Sequence, residues 1–336
     1  MLYITTRNDR DAFTVQHVLT QNNGEDGGLY LPLHFPKFTE EELQSLCAVS
    51  FNQRVAAILN LFFSSKLTGW DVDFCAGRYP VRVQSFPCRI HMAELWHNPC
   101  WQYEFLEQNL LRLIGAQTDA PDSWCRIAVR MAVLAGILGE HSILGNGSVD
   151  VALVSGDFGA PISAWYLQKM GFPIGSIICC CNENNQLWEL ICHGQMPTED
   201  MVIPTLIPEA DVVLPVNLER LLHGFGGSEE VKRYLDCVQN RVIYSVSDGI
   251  TEVRKVLYAG VVSSDRIESA IPNVYNSYQY LMTPASALAY SGLMDYRSKT
   301  GVTRSAVVVC DRSPVCEQDV VAKIMNITPE IMKNMI

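Results

Sequence analysis

The chain has 336 residues, 48% of them hydrophobic and 18% charged, which is enough apolar material for a sizeable core. A formal net charge of −11 with no basic run excludes the cationic footprint that a nucleic-acid surface requires. No apolar run reaches the length of a membrane span; Val129 to Leu138 comes closest, and it has the length of a buried helix.

From the N-terminus, Asp11 to Leu19 has helical spacing and leads into the turn Asn22-Asn23-Gly24 and the Gly27-Gly28 pair. Phe38-Thr39-Glu40-Glu41 reads as a helix start, with Thr39 as cap and acids in the first turn. Phe51 to Phe63 is an amphipathic helix. These helices predict an N-terminal subdomain over residues 1–78, ending near Gly77. Val81 to Ser85 and Arg89 to Leu95 then read as strands. Trp101 to Leu113 and the stretch from Ser123 read as helices, joined by a Gly115–Asp122 connector. Asp150 to Val154 is a continuous apolar strand that enters a helix at Ala160–Met170 through a glycine turn. Ile174 to Cys181 is the next strand and Asn185–His193 the next helix. Arg241 to Ser245 precedes a helix at Asp248–Ala259, and Ala306 to Cys310 is a last buried strand before the helix Glu317–Met325. Pro197–Pro215 and Gly224–Gly227 are the most loop-like stretches. Apolar strands alternating with helices predict an α/β domain over 79–336 with a mostly parallel sheet buried between helices.

The twelve cysteines have no regular spacing, and Met1 to Arg7 lacks the basic start and apolar core of a secretory signal. Reduced thiols in a cytoplasmic protein are expected. Cys179-Cys180-Cys181 closes an apolar strand, where free cysteine behaves as a small hydrophobe. Cys88-x-x-His91 and His97-x-x-Cys100 are zinc-type ligands. Only five residues separate the two halves, however, and the segment reads partly as strand, so no metal is expected.

Several segments occur in a telling order: Asp26-Gly27-Gly28-Leu29-Tyr30-Leu31-Pro32; Glu94 to Phe105 with His97, Pro99 and Tyr103; Val154-Ser155-Gly156-Asp157-Phe158-Gly159; Asn217-Leu218-Glu219-Arg220-Leu221-Leu222; and Thr283 to Tyr290. Together they resemble the threonine synthase family of fold-type II pyridoxal-phosphate enzymes. The resemblance places Glu104 on the family's Schiff-base lysine, and a carboxylate cannot form an imine with an aldehyde. It makes Ser155, Gly156, Asp157, Phe158 and Gly159 the phosphate loop, with Asp157 where the family has a neutral asparagine. It also sets Asp311 on a threonine that faces the pyridine nitrogen, a place where aspartate serves in other pyridoxal enzymes.

Backbone amides at a helix N-terminus form an anion cradle, but the charge on Asp157 should repel a phosphate. The plainer reading of this loop is a strand–helix turn capped by Asp157 or Ser155, and that of Asp311 and Arg312 a solvated loop pair. Lys169, Lys255 and Lys323 read as surface lysines.

The resemblance also implies a missing small domain, whose Thr-Ser-Gly-Asp-Thr-Gly loop has no counterpart here, with excision expected near residues 115–123. Excision would uncover a former apolar contact surface, which points to a homodimer. The expectation is a threonine-synthase-like protein that has lost threonine synthase activity, a pseudoenzyme whose vestigial cleft serves a small metabolite or a protein partner. The alternative is a repurposed enzyme of amino-acid metabolism working through Glu104, His97, Asp157 and Asp311. No cofactor is expected, with pyridoxal phosphate left only as a non-covalent ligand. Glu104 is either an acid–base group in an open cleft or is exposed or bonded to a neighbour such as Tyr103, the cleft being filled by side chains such as Trp101 and Trp124.

Overall fold

A computed structural model describes residues 1–76, 81–118, 120–140, 147–198, 201–246 and 249–336. Its strands are β1 (Tyr3–Thr5), β2 (Tyr30–Pro32), β3 (Arg82–Phe86), β4 (Ile90–Glu94), β5 (Val149–Val154), β6 (Ile174–Cys181), β7 (Gln195–Met196), β8 (Tyr244–Ser245), β9 (Leu257–Val261) and β10 (Ala306–Cys310). The first 76 residues also carry helices α1 (Val15–Thr20), α2 (Glu40–Cys47), α3 (Phe51–Phe63) and α4 (Gly69–Ala76). The remaining helices are α5 (Tyr103–Leu113), α6 (Trp124–Leu138), α7 (Gly159–Lys169), α8 (Gln186–His193), α9 (Leu218–Asn240), α10 (Ile250–Arg254), α11 (Ser264–Tyr278), α12 (Pro284–Thr300), α13 (Gln318–Met325) and α14 (Pro329–Lys333).

Among the described residues the main sheet has six strands in the order β3-β4-β10-β5-β6-β9. Only the edge strand β3 runs antiparallel to its neighbour; the other four pairings are parallel. Side chains of a strand alternate between faces, and the packing follows that rule. Val151, Leu153, Ile177, Cys179 and Val307 join the core under α3, α6 and α7. Ala152, Ile178, Cys180 and Val308 join the core under α11 and α12. Burial on both faces explains why β5, β6 and β10 read as unbroken apolar runs.

The N-terminal segment shares the first of these cores. Thr39 and Glu42 cap α2 reciprocally, as the sequence suggests. α3 packs along α6, and the Tyr3 hydroxyl donates to the Phe62 carbonyl at 2.5 Å. Trp124 is fully buried, its ring near those of Tyr3, Phe62 and Tyr166. The boundary expected at residue 78 lies outside the described residues.

Two segments differ from the sequence reading. Leu257–Val261 is a strand, β9, where a helix over Asp248–Ala259 is expected; the start of that helix lies outside the described residues. The run from Val256 to Ala259 suits a half-covered sheet position, and Ile177 to Cys181 offer it a parallel partner. Gly224–Gly227, expected as loop, lies inside α9, which is broken at Gly227 (φ 65°, ψ −167°). Among the described residues no helix is long and apolar enough to cross a membrane.

Candidate functional site

The carboxyl ends of β4, β10 and β5 open into a cleft of about 340 Å³, a size suited to a small molecule. Leu95 follows β4, Asp311 follows β10, Ser155 and Gly156 follow β5, and α6 adds Arg126 and Arg130. Open parallel sheets place ligands at this end, where strands stop and helix N-termini point inward.

β5 leaves the sheet through a tight turn. The Phe158 N–H donates to the Ser155 carbonyl at 2.8 Å, and Phe158 takes a left-handed conformation (φ 64°) as it caps α7. Gly156 also has positive φ (+43°), and a Cβ there would lie 2.9 Å from the Glu209 carbonyl oxygen, so glycine is needed for both the turn and the close approach. Asp157 bends back over the helix start. Its Oδ1 accepts the Gly159 N–H at 2.8 Å and Arg130 Nη1 at 3.0 Å. A methyl group on Gly159 would lie 2.0 Å from that same nitrogen, so only glycine lets the guanidinium in. Asp157 is thus bonded to the first helical amide and its charge is paired with Arg130.

Arg130 is one link in a chain of alternating charges. Its Nε donates to Glu107 Oε1 at 3.1 Å, and Arg126 Nε donates to Glu107 Oε2 at 2.8 Å. Glu107 is fully buried, and the two guanidinia compensate it. Burial disfavours the Arg130 charge, but Asp157 and Glu107 outweigh it and hold its pKa well above the usual value.

Asp311 lines the floor of the cleft. It is exposed to the water of the cleft. Burial first, then Glu104, raises its pKa from the ordinary carboxyl range to about 7, against the pull of Arg130. Asp311 and Arg312 both remain accessible to solvent, but they part company: Asp311 faces the cleft and Arg312 turns to Glu104. Tyr103 adds a phenol that is only 7% exposed and whose hydroxyl has no partner. Burial raises its pKa well above the ordinary value, which keeps it protonated.

Glu104 and His97 stand outside the lining. Glu104 Oε1 accepts Arg312 Nη2 at 2.7 Å, so its bonded neighbour is Arg312 and not Tyr103. His97 Nε2 lies 2.5 Å from Glu94 Oε2, and its ring stacks on Trp96. The Phe158 ring is buried in the core, and Gly159 contributes its amide. The structure thus gathers Ser155, Gly156, Asp157 and Asp311 in one cleft. Neither tryptophan fills it: Trp101 is exposed and Trp124 lies in the core. His91 of the Cys/His quartet bonds Ser85 and Ser305, and among the described residues no three possible metal ligands converge.

A mostly parallel sheet with this loop-to-helix turn at a strand's carboxyl end is the fold of the fold-type II pyridoxal enzymes. Residues 2–76 match the family model described as the threonine synthase N terminus. Threonine synthase of Pseudomonas aeruginosa is 23% identical over 407 aligned positions, covering 90% of this chain and 86% of that protein. Human threonine synthase-like 1 is 28% identical over 145 positions, 42% of this chain but 20% of that protein. The pyridoxal-phosphate-bound threonine synthase from Brucella melitensis superposes with a TM-score of 0.84 at 18% identity, over 96% of this chain and 91% of that one. This chain is a divergent relative of the threonine synthases and carries their N-terminal segment.

These findings correct one expectation. A cleft with no cofactor was the reading drawn from Glu104, but the fold is shared with a threonine synthase that holds pyridoxal phosphate. The residues present fit such a group in several respects: the cleft has room, Asp311 sits at its floor, and Arg130 and the Gly159 amide already hold an anion, the Asp157 carboxylate. What is missing is a lysine, since none lines the cleft among the described residues. The 407 aligned positions also exceed the roughly 302 residues that make up 90% of this chain, so about 105 of them face a gap here.

Proposed function

We propose that this threonine-synthase-like protein binds pyridoxal phosphate in the cleft without a covalent bond, and that it has lost threonine synthase activity. One observation carries the reading. The cleft is open and lined by Arg130 and Asp311, while the residue at the lysine position is Glu104, ion-paired with Arg312 outside the lining.

When bound, pyridoxal phosphate supplies an electron-withdrawing ring conjugated to an aldehyde. In this reading Arg130 and the Gly159 amide, now bonded to Asp157, would hold the phosphate once that carboxylate gives way. Asp311, whose pKa is raised to about 7, would hold or release a proton toward the ring nitrogen. A missing group that works in concert with others removes most of a site's acceleration, and the lysine is such a group.

A total of about 105 unmatched positions is of the size of a small domain, whose excision we propose near residues 115–123. A cytoplasmic location is proposed on the strength of the twelve unpaired cysteines. The repurposed-enzyme reading draws on Asp311 alone, because a carboxyl titrating near neutrality in an open cleft is a candidate acid–base group.

Titration of the purified protein with pyridoxal phosphate, followed by visible absorbance, borohydride reduction and peptide mapping, tests the proposal. Saturable binding with no lysine trapped is the expected result. A stoichiometric adduct on one lysine, or no saturable binding at all, overturns it.

A further inference from the structure

We infer that Asp157 is the specificity-determining residue of the cleft: its carboxylate occupies the anion seat of the loop, so a phosphorylated ligand binds only by displacing it. The inference rests on the proposed reading of the cleft as a pyridoxal phosphate site and adds to it a built-in competitor.

The geometry is that of a bound anion. At the N-terminus of α7 the Gly159 N–H points at Asp157 Oδ1 from 2.8 Å, and Arg130 Nη1 reaches both carboxylate oxygens, at 3.0 and 3.2 Å. A helix N-terminus and a guanidinium are the two groups that select phosphate, and here one internal carboxylate engages both. On the loop's other side the Glu209 carbonyl closes over Gly156, where a Cβ would lie 2.9 Å from it. Arg130 is in turn fixed by the buried Glu107, so it cannot swing out to meet a phosphate elsewhere without breaking that pair.

The cleft has room for a ligand beside this pair. Tyr103 lines its wall; the side chain is more than nine-tenths buried and its hydroxyl has no partner. Burying a hydroxyl unpaired is costly. The cleft therefore retains a place for the body of a ligand while its anion seat is internally filled. Such a site favours compounds that lack a phosphate over their phosphorylated counterparts, unless Asp157 gives way.

The alternative is that Asp157 serves only as a helix cap, since Phe158 has no capping side chain of its own. Affinity separates the two roles, because a mere cap affects stability and leaves ligand choice unchanged. The test compares wild type, Asp157→Asn and Asp157→Ser for binding of inorganic phosphate, pyridoxal phosphate and pyridoxal by calorimetry, with thermal melts to confirm folding. The serine variant keeps a short capping oxygen without charge, in case asparagine disturbs the turn.

The expected result is that both variants bind inorganic phosphate and pyridoxal phosphate at least about tenfold more tightly than wild type, equal to about 1.4 kcal/mol, with pyridoxal unchanged. If all three proteins bind pyridoxal phosphate equally, this inference fails and the reading of the cleft stands. If none of the folded proteins binds pyridoxal phosphate, the reading of the cleft fails and the inference falls with it.

Discussion

Glu104 and Arg312, 208 positions apart in sequence, form an ion pair of 2.7 Å that clasps the start of α5 to the segment leaving β10. The backbone reinforces the clasp, with the Tyr103 N–H donating to the Asp311 carbonyl at 2.6 Å and the Ser313 N–H to the Trp101 carbonyl at 2.9 Å. The residue at the lysine position thus acts on the cleft indirectly, through the charge it presents to Asp311.

Glu104→Gln is expected to lower the pKa of Asp311 from about 7 toward the ordinary carboxyl range, because Glu104 is the second largest cause of its elevation after burial. Both partners of the pair are about a third exposed, so stability should change by less than about 1 kcal/mol. Carboxyl carbon resonances followed through a pH titration measure the first effect and urea unfolding the second. An unmoved Asp311 midpoint would show that the two groups are not coupled.

The pH dependence of stability has a definite sign at Asp311. Its folded pKa of about 7 lies above the value of roughly 3.9 for an unfolded aspartate, so between these limits the native state binds the extra proton. Its contribution to stability is therefore fully present below about pH 4 and is lost as pH rises through 7. Glu317, raised to about 7 by burial and by Glu209, behaves the same way. Asp311→Asn should gain stability relative to wild type between pH 4.5 and pH 8. Urea midpoints at the two pH values check this, and a constant difference would refute it.

Glu107→Ala removes the buried carboxylate between Arg126 and Arg130. Breaking a buried pair from one side typically costs about 3 kcal/mol or more. Cleft water can solvate the released guanidinia, so a loss of about 3 kcal/mol is expected, with less for Glu107→Gln. Chemical denaturation gives the value; a cost below about 1 kcal/mol would mean that Glu107 does not hold the wall.

Arg220 is fully buried and donates to the Tyr30 carbonyl at 2.9 Å and the Asp122 carbonyl at 2.8 Å, so it fastens β2 to the segment before α6. Arg220→Met should strand both carbonyls and cost about 3 kcal/mol. Limited proteolysis should then cut within the first 76 residues sooner than in wild type. An unchanged cleavage pattern would show that other contacts hold the N-terminal segment.

Strands with two covered faces were the most legible part of the sequence: β6 and β10 fall on the expected residues, because apolar runs bounded by turns have few other uses. β9 was not, since a short edge strand is defined by the partner it finds, and its run also suits a helix. The loop from Ser155 to Gly159 was legible through resemblance, but the partner of Asp157 was not. Arg130 lies 27 positions away, and only packing of α6 against α7 brings the two together. A signal was nonetheless present. Arg126 and Arg130 are four apart on a helix that is otherwise apolar on all sides, and such a pair must face an acid or a cavity. Glu104 and His97 misled for the opposite reason: family position located their backbone, whereas Arg312 and Glu94 decide where their side chains go.

β10, the last strand of the main sheet in sequence, is inserted between β4 and β5, pairing Ala306–Cys310 with Ile90–Glu94 on one side and Asp150–Ala152 on the other. During synthesis both neighbours emerge from the ribosome some hundred and fifty residues or more before the strand that joins them. Until then they present bare, apolar, hydrogen-bonding edges of the kind that recruit other chains. The sheet cannot be completed until β10 has been made, and the nascent chain must be shielded until then. Release of a chain that stops short of β10 should leave a species that aggregates rather than a smaller folded domain.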